Sequence, residues 1–93
     1  MPSYATDETI NELIKTSENL VIVDFTASWC APCNILAPIL DDLDEEFGDD
    51  LSIYKIDVDN SPEYAKRLGI RGRPPLLFLK NNAEGERHVG VPA

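Results

Sequence analysis

Val21-Ile22-Val23-Asp24-Phe25-Thr26-Ala27-Ser28-Trp29-Cys30-Ala31-Pro32-Cys33-Asn34-Ile35-Leu36-Ala37-Pro38 takes an apolar strand into a turn and then into a helix, and the turn carries both cysteines of the chain. Two cysteines separated by two residues at such a junction form a thiol pair that can close into a small disulfide and open again. The thiolate is the attacking species, and the unpaired amides at a helix start stabilise its negative charge. Cys30, first in the pair and in an exposed turn, is the expected nucleophile. Cys33, three residues on and facing the same way, is placed to attack the mixed disulfide and release the reduced target. Two other readings stay open. A purely structural disulfide would close so short a loop that it removes only about 2 kcal/mol of unfolded-state entropy, and it would not persist in a reducing compartment. A zinc site would draw on both cysteines and His88, three ligands where a closed structural site wants four.

Outward from this stretch, Leu20 to Thr26 is nearly continuous in β-branched and aromatic residues, the pattern of a central strand covered on both faces. Before it, Ile10, Leu13 and Ile14 recur at helical spacing, with Asp7 and Glu8 suited to the positive end of a helix dipole, so a first helix is expected from about Thr6 to Thr16. That leaves room for a very short strand near Tyr4. After the cysteines, a helix from about Pro32 to Phe47 is expected, with Gly48 as terminator and Ile35, Leu36, Ile39, Leu40, Leu43 and Phe47 as its buried stripe. Pro38 cannot donate to the carbonyl of Asn34, which predicts a kink. Leu51 to Val58 reads as a strand returning in parallel by a right-handed crossover. Ser61-Pro62 caps a short helix through Leu68 that Gly69 ends. Leu76 to Lys80 and Glu86 to Val91 flank a turn-rich spacer and predict a hairpin.

The chain of 93 residues is expected to be one domain over its whole length, with 43% apolar residues and no run long enough to span a membrane. Seventeen acidic residues against eight basic ones give a formal charge of −9, which repels a phosphate backbone and argues against nucleic-acid binding. Met1-Pro2-Ser3-Tyr4 has neither a basic start nor an apolar stretch behind it, so no signal peptide is expected and a reducing cytoplasm is the expected location.

Asp24 stands in an otherwise apolar strand, where a carboxylate must be paired, neutralised or turned to the surface. If burial dominates, its pKa is raised and the group costs stability as pH climbs. Lys55 alone reads as a strand lysine sending its ammonium to water along an apolar stem. Trp29 is either core or, from its place beside Cys30, a contact surface. His88 is a hairpin residue with no partner identifiable from sequence. Pro74 alone reads as a trans proline opening a strand.

The stretch Trp29-Cys30-Ala31-Pro32-Cys33 behind Val23-Asp24-Phe25, with Ala37-Pro38-Ile39-Leu40 after it, resembles the active-site segment of thioredoxins. Lys55-Ile56-Asp57-Val58-Asp59, Tyr64 to Gly72, Pro74 and Val89-Gly90 follow in thioredoxin order and spacing. The resemblance implies an α/β thioredoxin fold, a central mixed β-sheet flanked by helices. It implies a protein-disulfide reductase that works through a Cys30–Cys33 redox disulfide, acts on disulfide-containing target proteins and binds no cofactor or metal. Electrons would come from NADPH through a thioredoxin-reductase-type flavoenzyme. Asp24 would exchange a proton with Cys33, with Lys55 close by. Pro74 would be a cis-proline beside the sulfurs, and Trp29, Ala31, Pro32, Gly72, Arg73, Val89 and Gly90 would line the surface that grips targets. An interaction module that holds partners on the same surface, or an oxidase or isomerase, is the alternative.

Four departures bear on this. Ala31 replaces the more usual glycine, and Asn34 stands where lysine is common. Arg73 precedes the key proline where a small apolar or β-branched residue is usual, and a cation there would favour the Cys30 thiolate and make a better oxidant. Family members continue into a last amphipathic helix where this sequence stops at Val91-Pro92-Ala93; a truncation, a short natural variant or a face covered by another chain is expected, and without that cover one sheet face would be partly bare and open to a partner or a second copy.

Overall fold

A computed structural model describes residues 2–69, 76–81 and 85–90. The elements run β1 (Ser3–Ala5), α1 (Ile10–Thr16), β2 (Leu20–Thr26), α2 (Ala31–Phe47), β3 (Leu51–Asp57), α3 (Glu63–Arg67), β4 (Leu76–Asn81) and β5 (Gly85–Gly90). Among the described residues the strands form one mixed sheet of order β1-β3-β2-β4-β5. β3 lies parallel to both β1 and β2, while β4 runs antiparallel to β2 and to β5. The long apolar strand β2 is therefore central, as its lack of alternation predicts.

Each face of β2 has its own core. Val21, Val23 and Phe25 pack with Ile10 and Ile14 of α1, Ile56 of β3 and Tyr64 of α3. Ile22 packs on the other face with Ile53 of β3 and Leu40 of α2, flanked by Leu36 and Leu43. The Phe25 and Tyr64 rings stack with centroids 6.1 Å apart, which ties α3 to the strand that delivers the cysteines.

Three local expectations are corrected. The segment before α1 is a turn, and the helix begins at Ile10 rather than Thr6. The Thr6 amide donates to Thr9 Oγ1 at 2.9 Å, and the Thr9 and Ile10 amides both donate to the Thr6 carbonyl, so hydroxyl bonding holds the turn in place of helix. Ser61 does not cap α3. The cap is Asp7, whose carboxylate accepts from the Glu63 and Tyr64 amides at 3.1 and 2.9 Å from fifty-odd residues away. Finally, the buried stripe of α2 is narrower than its apolar residues. Leu36, Leu40 and Leu43 face the sheet, whereas Ile35 and Ile39 are 73% and 53% exposed and Phe47 is also exposed. One helix laid on a sheet buries a single line of turns, and Ile35 and Ile39 lie about a quarter-turn from it.

The helix runs on through Pro38. Gly48 ends it in right-handed backbone geometry, whereas Gly69 ends α3 at φ +69°, a conformation glycine adopts freely.

Candidate redox site

The site lies at the C-terminal end of β2, where the chain leaves the sheet and α2 begins. Cys30 is the N-cap of α2 in extended geometry, and its Sγ accepts from the Cys33 amide at 3.2 Å. The Cys30 amide donates to the Ala27 carbonyl at 3.1 Å, and the Cys30 carbonyl accepts from the Asn34 amide at 3.3 Å. Pro32 occupies the first turn, where its missing N–H leaves nothing unpaired. Cys30 and Cys33 are joined by a disulfide with their Cα atoms 5.3 Å apart. The sulfur of Cys30 thus sits on the positive end of a seventeen-residue helix, which has no acidic residue in its first turn to offset it.

The turn around Cys30 is exposed but the residue is not. Cys30 is 2% exposed, packed with Ala27 and Cys33, while Trp29 and Ala31 on either side stand out in solvent. The disulfide and the turn bond to Ala27 together fold the sulfur inward.

Asp24 is buried, 4% exposed, and its Oδ1 has no hydrogen-bond partner. Burial pushes its carboxyl up from an ordinary 3.8 to about 6, against the opposing pull of the Lys55 charge. The outward-facing alternative for Asp24 is therefore excluded. Register makes Lys55 of β3 the direct neighbour of Asp24 on one side and Leu77 of β4 the neighbour on the other. Asp24, Lys55 and Cys33 share a cavity of about 120 Å³ with Tyr4, Thr26 and Asp57. The space is polar and large enough for water. The cavity therefore joins Cys33 to a carboxyl that burial raises to about 6.

Trp29 is 62% exposed, which removes the core alternative. Its indole N–H donates to Asp59 Oδ2 at 2.7 Å. Asp59 sits in the turn after β3, which Asp57 organises: Oδ1 of Asp57 accepts from the Asp59 amide at 2.9 Å and from the Asn60 amide at 3.4 Å. A bond from the Val58 amide to the Thr26 carbonyl, 2.9 Å, pins this turn to the end of β2. The sequence alone does not mark Asp57 and Asp59 as site residues. Two aspartates at a strand end do signal a side-chain turn, but a partner thirty residues away leaves no local mark.

Among the residues expected to contact targets, Trp29, Ala31 and Pro32 surround the disulfide. Val89 and Gly90 lie on β5, paired with Leu77 and Leu76, so Val89 falls in the same row of the sheet as Asp24. Gly72, Arg73 and Pro74 lie outside the described residues, as does the side chain of His88. Among the described residues no helix is long and apolar enough to cross a membrane.

A family model described as Thioredoxin matches residues 2–93. The chain is 46% identical to a thioredoxin of Bacillus subtilis (strain 168) over 86 residues, which are 92% of this chain and 81% of that protein. It is 42% identical to a thioredoxin of Listeria monocytogenes over 90 residues, 97% of this chain and 85% of the relative. To the chloroplastic thioredoxin M-type of Pisum sativum it is 42% identical over 85 residues, and there it spans about half the relative's length, 49%.

Proposed function

The chain belongs to the thioredoxin family and is a thiol-disulfide oxidoreductase of the protein-disulfide reductase kind, and on that premise we propose that it reduces target disulfides in two steps, with Cys30 attacking and Cys33 resolving. The observation that carries this order is the N-cap position of Cys30, whose sulfur already accepts an amide hydrogen bond at the helix start. In the reduced protein the same amide and the helix dipole favour a thiolate at that atom over one at Cys33.

The Cys30 thiolate attacks one sulfur of the target disulfide. A Cys30–target bond forms, the target bond breaks, and the departing target sulfur takes up a proton. Cys33 then gives its proton to Asp24 through water in the shared cavity, and its thiolate attacks the Cys30 sulfur. The Cys30–Cys33 disulfide forms and the second target thiolate leaves, protonated in turn. Two electrons pass from the dithiol to the target. A carboxyl that titrates near pH 6 suits this exchange, because an acceptor works best when its pKa lies near the working pH. Lys55 moderates Asp24 by charge, and Trp29, Ala31 and Pro32 form the near side of the target surface. By family resemblance Gly72, Arg73, Pro74, Val89 and Gly90 supply the far side. The resting dithiol is restored with electrons from NADPH by a separate flavoenzyme, in a reducing cytoplasm, and the chain needs no bound cofactor.

The test is a protein-disulfide reduction assay with Cys30→Ser and Cys33→Ser. The first variant should lose activity and form no adduct. The second should stop at a stable covalent adduct with the target through Cys30. Adduct formation by Cys30→Ser through Cys33 would reverse the assignment.

A further inference from the structure

Tyr4, Lys55 and Asp24 stand in one row across three parallel strands. Tyr4 of β1 is the register partner of Lys55 of β3, and Lys55 is the partner of Asp24 of β2. Their side chains share one face of the sheet, because all three line the cavity that also holds Cys33. Within the row, the Lys55 ammonium lies 5.9 Å from the centroid of the Tyr4 ring, within the range of a cation–π contact. Asp24, the nearer carboxylate by register, keeps an oxygen without any partner. The cation is drawn to the ring end of the row while the anion end stays open.

We infer that Tyr4 is a positioning residue for the resolving step: its ring holds the Lys55 ammonium at the outer end of the row and so limits how strongly that charge acts on Asp24. The inference rests on the reading of Asp24 as proton acceptor for Cys33. Tyr4 is 69% exposed, so little of its apolar surface is buried, and its described interactions are the contact with Lys55 and the rim of the cavity. Among the described residues, the charged and titratable groups around Asp24 are few. Lys55 and Asp57 come from β3, Tyr4 from β1 and Cys33 from α2, the last held in the disulfide, while the β4 partner, Leu77, has no charge. Asp57 is already engaged by the Asp59 and Asn60 amides. An ammonium released from the ring therefore moves toward Asp24 and favours its charged form.

The experiment follows the Asp24 carboxyl carbon by NMR through a pH titration of the full chain in its disulfide form. Tyr4→Leu keeps an apolar side chain on the strand and removes the π face, and it should lower the Asp24 midpoint by about half a unit, the scale of an exposed cation–π contact. Tyr4→Phe keeps the face and should leave the midpoint where it is in the unaltered chain. In a Lys55→Met background Tyr4→Leu should have no further effect, which separates positioning of the charge from any change in packing. The pH profile of protein-disulfide reduction should move with the midpoint. An unmoved or raised midpoint in Tyr4→Leu, an equal shift in Tyr4→Phe, or a shift that survives without Lys55 overturns the inference. An Asp24→Asn profile identical to the unaltered chain overturns the proton-acceptor reading instead, whatever Tyr4 does.

Discussion

Two carboxylates flank the disulfide, and the fold treats them in opposite ways. On the inner side, beneath the start of α2, Asp24 is buried with an oxygen that nothing satisfies. On the outer side, in the turn after β3, Asp59 is exposed and bonded at 2.7 Å to the indole of Trp29. An unsatisfied buried acceptor costs roughly 1–3 kcal/mol and a buried charge more, so the inner group stores unfavourable energy that a proton relieves. The outer pair stores nothing of the kind and fixes the attitude of a surface residue. On the proposed function, the inner region serves a change of charge and the outer one recognition. Variants on the two sides should then differ in what they alter: stability with a pH signature inside, target affinity with little stability cost outside.

The largest effect is expected at Asp24. Its carboxyl is raised by burial from 3.8 to about 6, with Lys55 opposing. Below pH 3.8 the group is protonated in folded and unfolded chains alike and has no linked effect on stability. Between 3.8 and about 6 the unfolded chain ionises first, and stability is lost progressively. Above about 6 the full difference applies, about 3 kcal/mol. Asp24→Asn should therefore melt higher than the unaltered chain at pH 8, with the gap closing as pH falls and vanishing near pH 3. It should also slow turnover, through loss of the proton acceptor. Equal melting temperatures at pH 8 would show that the inner carboxylate is not strained and would erase the contrast.

Trp29 tests the outer side with the next largest effect. Trp29→Ala should raise KM for a protein disulfide about tenfold, the loss expected for an aromatic anchor worth more than 1 kcal/mol. It should change stability by no more than about 1 kcal/mol, because most of the residue is exposed and its indole bond lies at the surface. Reduction of a small aromatic disulfide, which has no polypeptide to grip, should keep its rate. A stability loss of 2 kcal/mol or more would make Trp29 part of the core instead.

What could be read from the sequence follows the same division between local and distant causes. Leu20 to Thr26 is a strand with the bounds its residues predict, and the two cysteines open α2 where a strand-to-helix change puts them. Composition and periodicity act over a few residues, so they suffice there. The late start of α1 is local too, a hydroxyl turn between Thr6 and Thr9, whereas the other two misplacements depend on what lies across the fold. Asp7, whose place in the sequence suits the start of its own helix, caps α3 instead. Ile35 and Ile39 fit the helical period but find no sheet beneath them. Asp24 stands out because a charge in an apolar strand is a local anomaly, whereas Tyr4 carries no such mark and Asp57 and Asp59 signal only a turn. Tyr4 meets Lys55 across two strands and Asp59 meets Trp29 across two turns, pairings that the sheet creates, while Asp57 bonds within its own turn.

The smallest effect is the most discriminating, because Asp57 touches both regions: it lines the Asp24 cavity, and it ties the turn that presents Asp59 to Trp29. If its part is in the turn, the bonds from its carboxylate to the Asp59 and Asn60 amides are what matter, each worth about 1 kcal/mol. Asp57→Ala should then loosen the indole and raise KM for a protein disulfide about threefold with kcat unchanged. Trp29 is the only tryptophan in the chain, so its fluorescence reports the indole directly and should shift toward that of a freely exposed residue. Asp57→Asn keeps an oxygen that accepts from the same amides and should restore both readouts while removing a charge from the cavity. Should Asn behave as Ala does, with kcat falling and the pH profile moving, Asp57 belongs with Asp24 on the inner side, and the boundary between the charge-changing and the gripping parts of the site runs through the turn instead of above it.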